Sequence, residues 1–149
     1  MKNKERNDVE TTTTTGKTAG LIGLGAMGAG IAATLRRAGY HLHVCDARPG
    51  AATAFASEGG TAHDSPAQVA AQCELIVSVV VNAQQTEEVL FGAQGAAGAM
   101  KPGSVFVMCS TVDPNWSVAL EARLAERGIH YVDAPISGGA AKAASGQMT

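Results

Sequence analysis

The chain has 149 residues, a hydrophobic fraction of 46%, aromatics at only 4% and a formal net charge of −2 at pH 7. That is room for one domain around one core. The near-neutral balance gives no basic field for nucleic acid and no polybasic patch for a membrane surface, and no stretch approaches the roughly 18 consecutive apolar residues of a membrane span.

Residues 1–16 are polar, with a threonine run at Thr11–Thr15 and then Gly16, and predict a disordered leader outside the fold. The charged start, Met1 to Asn7, has no apolar region behind it. No signal peptide is visible, so the expected location is the cytoplasm. Cys45, Cys73 and Cys109 are odd in number and lack CxxC spacing, as expected of buried thiols in a reducing compartment and not of a metal or redox site.

From Thr18 onward, strand and helix patterns alternate. Ala19–Leu24 reads as a buried strand, and the helix after it sets Met27, Ile31 and Leu35 on one face before Gly39 stops it. His41–Asp46 is a second strand, followed by a Pro49-Gly50 turn, an alanine-rich helix ending at Gly59-Gly60, and a short strand at Thr61–His63. Ser65-Pro66-Ala67-Gln68 has the N-cap, proline and glutamine of a capping box. Glu74–Val81 is the strongest strand, rich in β-branched residues as a strand covered on both faces would be. Gln84–Phe91 reads as a helix and Ser104–Met108 as a strand. Asp113-Pro114 opens a long helix with Val118, Leu120 and Leu124 facing the core, Gly128 stops it, and Ile129–Asp133 is the last strand. Such alternation predicts a single α/β domain over residues 17–149, a Rossmann-type doubly wound parallel sheet with strand order 3-2-1-4-5-6.

The turn after the first strand carries Gly23-Leu24-Gly25-Ala26-Met27-Gly28, a G-x-G-x-x-G spacing with Asp46 closing the second strand. In that context Gly23 serves the tight turn, Gly25 the close approach of a pyrophosphate and Gly28 helix–sheet packing. The helix opening at Ala26 offers its N–H groups to phosphates. Asp46 is placed to accept hydrogen bonds from the adenosine ribose, and its charge favours NAD over NADP, although Arg48 could accommodate a 2′-phosphate. Three more strand ends carry polar or glycine-rich loops: Val81-Asn82, Ser110-Thr111 and Asp133 to Gly139. A doubly wound fold builds its ligand crevice from such loops.

Gly23 to Gly28, Ser110-Thr111 and Asp133-Ala-Pro-Ile-Ser-Gly-Gly139 followed by Gly146-Gln-Met-Thr149 resemble the β-hydroxyacid dehydrogenases over residues 18–149. Val80–Gln85 with Val89-Leu-Phe-Gly92 is most similar to the threonate dehydrogenase branch. The resemblance implies reversible hydride transfer between a small hydroxyacid and NAD(P). It places Val81 and Asn82 by the adenosine, Thr111 near the nicotinamide, and Ser137, Gly138 and Gly139 on the substrate. It also implies a catalytic lysine on a long helix beyond Thr149 and a helical second domain that makes most of the dimer contact. No catalytic residue is therefore expected within the chain, which would bind NAD weakly and be close to inactive alone, and a homo-oligomer is expected only with that domain present. Lys142 falls outside the catalytic lysine's place and is expected to be solvated or a local anion contact. His41, His43, His63 and His130 form no triad-like pattern and are assigned no catalysis. A stand-alone NAD-binding or regulatory module and a non-functional remnant remain the alternative readings.

Overall fold

The computed structural model describes residues 16–149. The expected leader lies outside the described residues except for Gly16. Six strands, β1 (Thr18–Ile22), β2 (His41–Cys45), β3 (Thr61–Ala62), β4 (Leu75–Ser78), β5 (Val105–Met108) and β6 (His130–Asp133), form one sheet in the order β3-β2-β1-β4-β5-β6. Every pairing is parallel, with Thr18 to Ile22 of β1 opposite His41 to Cys45 of β2. Among the described residues six helices connect or follow them: α1 (Ala26–Arg37), α2 (Ala51–Ala56), α3 (Pro66–Ala70), α4 (Ala83–Phe91), α5 (Pro114–Ala125) and α6 (Gly139–Ser145). This is the predicted doubly wound sheet. Among the described residues no helix is long and apolar enough to cross a membrane.

The two faces of β1 build two cores. Ala19 and Leu21 join Leu42, Val44, Ala32 and Ala52 on the side of α1 and α2. Ile22 joins Val69, Ile76, Phe106 and Met108 on the other side, where Leu120 and Leu124 of α5 close the layer. The alternation follows from the two-residue period of a strand. Between Ala19 and Leu21, Gly20 leaves room for α3: a Cβ there would lie 2.5 Å from Val69 Cγ1 and 2.7 Å from Ile76 Cδ1.

Local chemistry sets the helix ends. Gly39 (φ +91°) ends α1, its N–H donating to Arg36 O at 3.0 Å while the Tyr40 N–H reaches Leu35 O at 3.1 Å. This pair of bonds is a Schellman motif, with Tyr40 and Leu35 packed in the same apolar layer. Ser65, Asn82 and Asp113 cap α3, α4 and α5 with side-chain oxygens. Gln68 and Gln85 each reach back past the cap residue, accepting from the Asp64 N–H at 2.9 Å and the Val81 N–H at 2.8 Å.

Three expectations change. β4 ends at Ser78 and not at Val81: the Val79 N–H still bonds Ile22 O at 2.8 Å, but β1 has ended there and the chain peels off, leaving Val81 78% exposed. Val118 is 66% exposed, because α5 turns Ser117, Leu120 and Leu124 inward. The polar member of that stripe is satisfied, Ser117 Oγ donating to Asp133 Oδ2 at 2.7 Å with Tyr131 Oη at 2.8 Å. Finally, the deepest residues of α1 are Gly28, Gly30 and Ala32, while Met27, Ile31 and Leu35 are only half-buried. Gly28 packs on the glycine turn and Ala32 on the β1–β2 core, and α6, absent from the predicted elements, lies against α1 and covers Gly30. A Cβ on Gly30 would meet Ala143 Cβ at 2.8 Å, Thr34 Oγ1 donates to Ala143 O at 2.9 Å, and Arg37 donates to Ala144 O.

Along the β2–β3 edge His43 Nδ1 and His63 Nε2 lie 2.8 Å apart and share one proton, with the His41 ring packed edge-on against His43. Burial, then the neighbouring His63 and His41, hold the His43 imidazole below its ordinary value. The unfolded chain takes up the proton that charges His43 more readily, so the contribution of neutral His43 is intact above about pH 6.5 and is lost as pH falls below it. The urea midpoint of the native chain is therefore expected to drop between pH 7.5 and pH 5 by more than that of His43→Gln; equal slopes would exclude His43 as the source. Gly28 offers a second test. A Cβ there would stand 1.8 Å from Gly23 O, whereas one on Gly25 meets nothing within 4 Å. Gly28→Ala is expected to cost about 1–3 kcal/mol of overpacking, and Gly25→Ala less than about 1 kcal/mol, both read by urea denaturation.

Candidate functional site

At the carboxyl edge of the sheet β1 is flanked by β2 on one side and β4 on the other, and the connections on the two sides run in opposite directions. A cavity of about 500 Å³ opens there, walled by Gly23 and Gly25, by Cys45 to Arg48 after β2, and by Val79 to Val81 after β4. This is the switch point where doubly wound sheets hold ligands.

The three glycines do different things. Gly23 (φ +97°) turns the chain out of β1, its N–H donating to Cys45 O at 3.0 Å, and any Cβ there would strike Val79 O at 2.2 Å. Gly28 brings α1 onto that turn. Gly25 is the N-cap of α1, exposed and with open space where a Cβ would be. Unlike α3, α4 and α5, α1 has no side-chain cap. The N–H groups of its first turn, beginning at Ala26 and Met27, have no intrahelical acceptor, and they carry the positive end of the helix dipole. An open cradle and uncapped donors suit a diphosphate.

Asp46 stands across from them, its side chain only 8% exposed. The buried Leu24 donates its N–H to Asp46 Oδ2 at 2.6 Å, so the acid braces the glycine turn. Oδ1 accepts the Arg48 N–H at 2.7 Å and Arg48 Nε at 3.0 Å. Burial alone would raise the Asp46 carboxyl; the Arg48 guanidinium and the two backbone N–H groups outweigh it and hold the group below its ordinary value. Asp46 is an anion at neutral pH. Next to it, burial and then the Asp46 charge push the Cys45 thiol up to about 12. Burial lifts Cys73 and Cys109 to about 11. All three are free, buried and protonated.

The structure divides the remaining sequence-derived residues. Val81 lines the cavity; Asn82 does not, because its Oδ1 is turned to the Gln85 N–H at 2.9 Å as the cap of α4. Thr111 is exposed after β5, and the exposed Ser137, Gly138 and Gly139 follow β6; none of the four lines this cavity. Ser137 exchanges both backbone bonds with Thr149, at 2.6 and 3.2 Å. The Lys142 side chain runs over Gly138, where a Cβ would meet its Cδ at 2.7 Å. Among the described residues no three His, Cys, Asp or Glu side chains are grouped to hold a metal.

Two residues that shape the cavity carry only faint sequence signals. Ser110, buried, donates to Val80 O at 2.7 Å and lies 3.3 Å from Thr86 Oγ1, fixing the strand-to-helix turn after β4. Gln85 steadies the same turn through Val81. The signal for Gln85 is Asn82-x-x-Gln85, the spacing of a capping box; that for Ser110 is its place at a strand end in the Ser110-Thr111 pair.

The family model for the NAD-binding domain of 6-phosphogluconate dehydrogenase matches residues 18–149. L-threonate dehydrogenase from Cupriavidus necator is 55% identical over 130 residues, which are 87% of this chain and 44% of that protein. Mitochondrial 3-hydroxyisobutyrate dehydrogenase from Mus musculus is 36% identical over 130 residues, 87% of this chain and 39% of that protein. The crystal structure of 3-hydroxyisobutyrate dehydrogenase from Salmonella typhimurium superposes with a TM-score of 0.84 at 39% identity, covering 89% of this chain and 46% of that one. The chain thus spans less than half the length of these relatives. With its fold, its glycine turn and these likenesses in agreement, the chain belongs to the family of the NAD-binding domain of 6-phosphogluconate dehydrogenase, with hydroxyacid dehydrogenases among its relatives.

Proposed function

We propose that the chain is the cofactor-binding part of a dehydrogenase that exchanges hydride between NAD and a small hydroxyacid of the threonate or 3-hydroxyisobutyrate type. The observation that carries this reading is the uncapped start of α1 at the open Gly25, facing a cavity that has Asp46 on its other wall. In it, Gly23 to Gly28 hold the pyrophosphate and Asp46 the adenosine ribose, while Val81 packs beside the adenosine. Asn82 contributes through the cap that sets this loop. Thr111 serves the nicotinamide side, and Ser137, Gly138 and Gly139 receive the substrate carboxylate or hydroxyl. The positive φ of Gly138 (+121°) and Gly139 (+75°) supports that role, since such backbone turns present N–H groups to anions.

NAD is favoured over NADP by the charges at the cavity. Asp46, Asp64 and Glu88 line it against one cation, Arg48, which is already paired. The bound nicotinamide ring supplies the hydride chemistry; the residues of this chain bind and orient. None of them is proposed as the acid or base, Lys142 being laid over Gly138. Positioned acid–base catalysis contributes about 10²–10⁴-fold, so the 149-residue chain is expected to bind NAD while turning over hydroxyacids slowly, in a cytoplasmic setting.

Calorimetric titration with NAD is expected to show saturable binding that Gly25→Leu weakens at least about tenfold, while the urea midpoint falls only by the small loss that an apolar residue at an N-cap brings. Absence of binding by the native chain would overturn the reading. Asp46→Ser is expected to shift the NAD-to-NADP affinity ratio toward NADP by about tenfold. Turnover of L-threonate, 3-hydroxyisobutyrate or glycerate at the rate of a full-length dehydrogenase would refute the assignment of acid–base chemistry outside this chain.

A further inference from the structure

We propose that Arg48 is a specificity-determining self-ligand of the ribose site: in the free chain its guanidinium occupies the acceptors that the ribose diol needs, and the sugar enters only as the arginine leaves. The inference rests on Asp46 as the ribose acceptor.

An ionised carboxylate has about four lone-pair positions, and here four donors address them. Oδ2 takes the Leu24 N–H at 2.6 Å and Arg48 Nη2 at 3.4 Å, and Oδ1 takes the Arg48 N–H at 2.7 Å and Arg48 Nε at 3.0 Å. A vicinal diol binding in bidentate fashion requires two of these positions. The two main-chain donors cannot yield, because the Leu24 N–H belongs to the glycine turn and the Arg48 N–H is fixed two residues after its acceptor. The guanidinium can. Its two donors reach both carboxylate oxygens as the two hydroxyls of a ribose would.

The same guanidinium donates from Nη2 to Leu24 O at 2.8 Å, so it straps the end of β2 to the glycine turn. Its position permits release, since the Arg48 side chain is 63% exposed while that of Asp46 is 8% exposed. Ion pairs with an exposed partner are weak and screened by salt. The strap therefore lowers NAD affinity by a modest factor without closing the site. It also masks the Asp46 charge. Removing the arginine bares that carboxylate to any 2′-phosphate, so the gain in affinity belongs to NAD alone.

The test is calorimetric titration of NAD and NADP into the native chain, Arg48→Ala and Arg48→Lys at low and high ionic strength. Arg48→Ala is expected to bind NAD about three- to tenfold more tightly at low salt, with the gap narrowing as salt screens the pair. Its affinity for NADP is expected not to rise. Arg48→Lys, which keeps the charge and loses the fork, is expected to fall between the two and serves alone should the alanine variant not fold. Without any cofactor, carbon-detected NMR titration of the Asp46 carboxyl is expected to show it moving up toward the ordinary carboxylate range in Arg48→Ala. Binding of NAD by Arg48→Ala that is equal to or weaker than that of the native chain overturns the strap and leaves the cofactor reading standing. Absence of NAD binding in every form overturns both.

Discussion

The site depends on one close approach, that of α1 to the turn it follows. Gly28 sits so near the Gly23 carbonyl that even a methyl group would interpenetrate it, at 1.8 Å. Gly23 is in turn pinned against Val79 O at the end of β4 and bonded to Cys45 O at the end of β2. Three strand ends are thus referenced to two glycines. Because backbone atoms, not flexible side chains, fill the space around them, the start of α1 has little freedom of position. Its uncapped N–H groups are consequently held in a fixed place beside the cavity, the preorganisation that the proposed phosphate site requires.

Asp46 has a double duty that changes what the second-strand acid means. Its carboxylate ties the Leu24 N–H, so the acid proposed as the ribose acceptor is also a brace for the glycine turn. Exchanging it to alter cofactor choice also unpairs a buried backbone donor, and a lost partner of that kind costs about 1–3 kcal/mol. In the proposed reading, specificity and architecture are coupled through one side chain.

Much of this was legible in the residues themselves. Strand order followed from the alternation of periods, and the helix ends from Gly39, Ser65, Asp113 and Gly128, because caps and stops are local chemistry. The glycine turn and Asp46 were readable for the same reason. What escaped depends on distant partners. Val118 looks apolar and inward, yet the inward position at the start of α5 goes to Ser117, whose hydroxyl finds Tyr131 and Asp133 on β6. Val79 to Val81 look like strand, but a strand ends where its neighbour does. The loops holding Thr111 and Ser137 to Gly139 stand apart from the cavity, and no local pattern tells how such loops are placed.

The clasp of α6 on α1 has a consequence for how the chain acquires its structure. Thr34 and Ala143 are bonded across 109 positions of sequence, among the longest loops the domain must close. Until those residues arrive, Gly30 of α1 lacks its cover and Arg37 lacks the Ala144 carbonyl to which it donates. Loop closure on that scale slows folding far more than it weakens the finished molecule. On a ribosome that flank of α1 therefore stays bare until residues 143 and 144 have been synthesised.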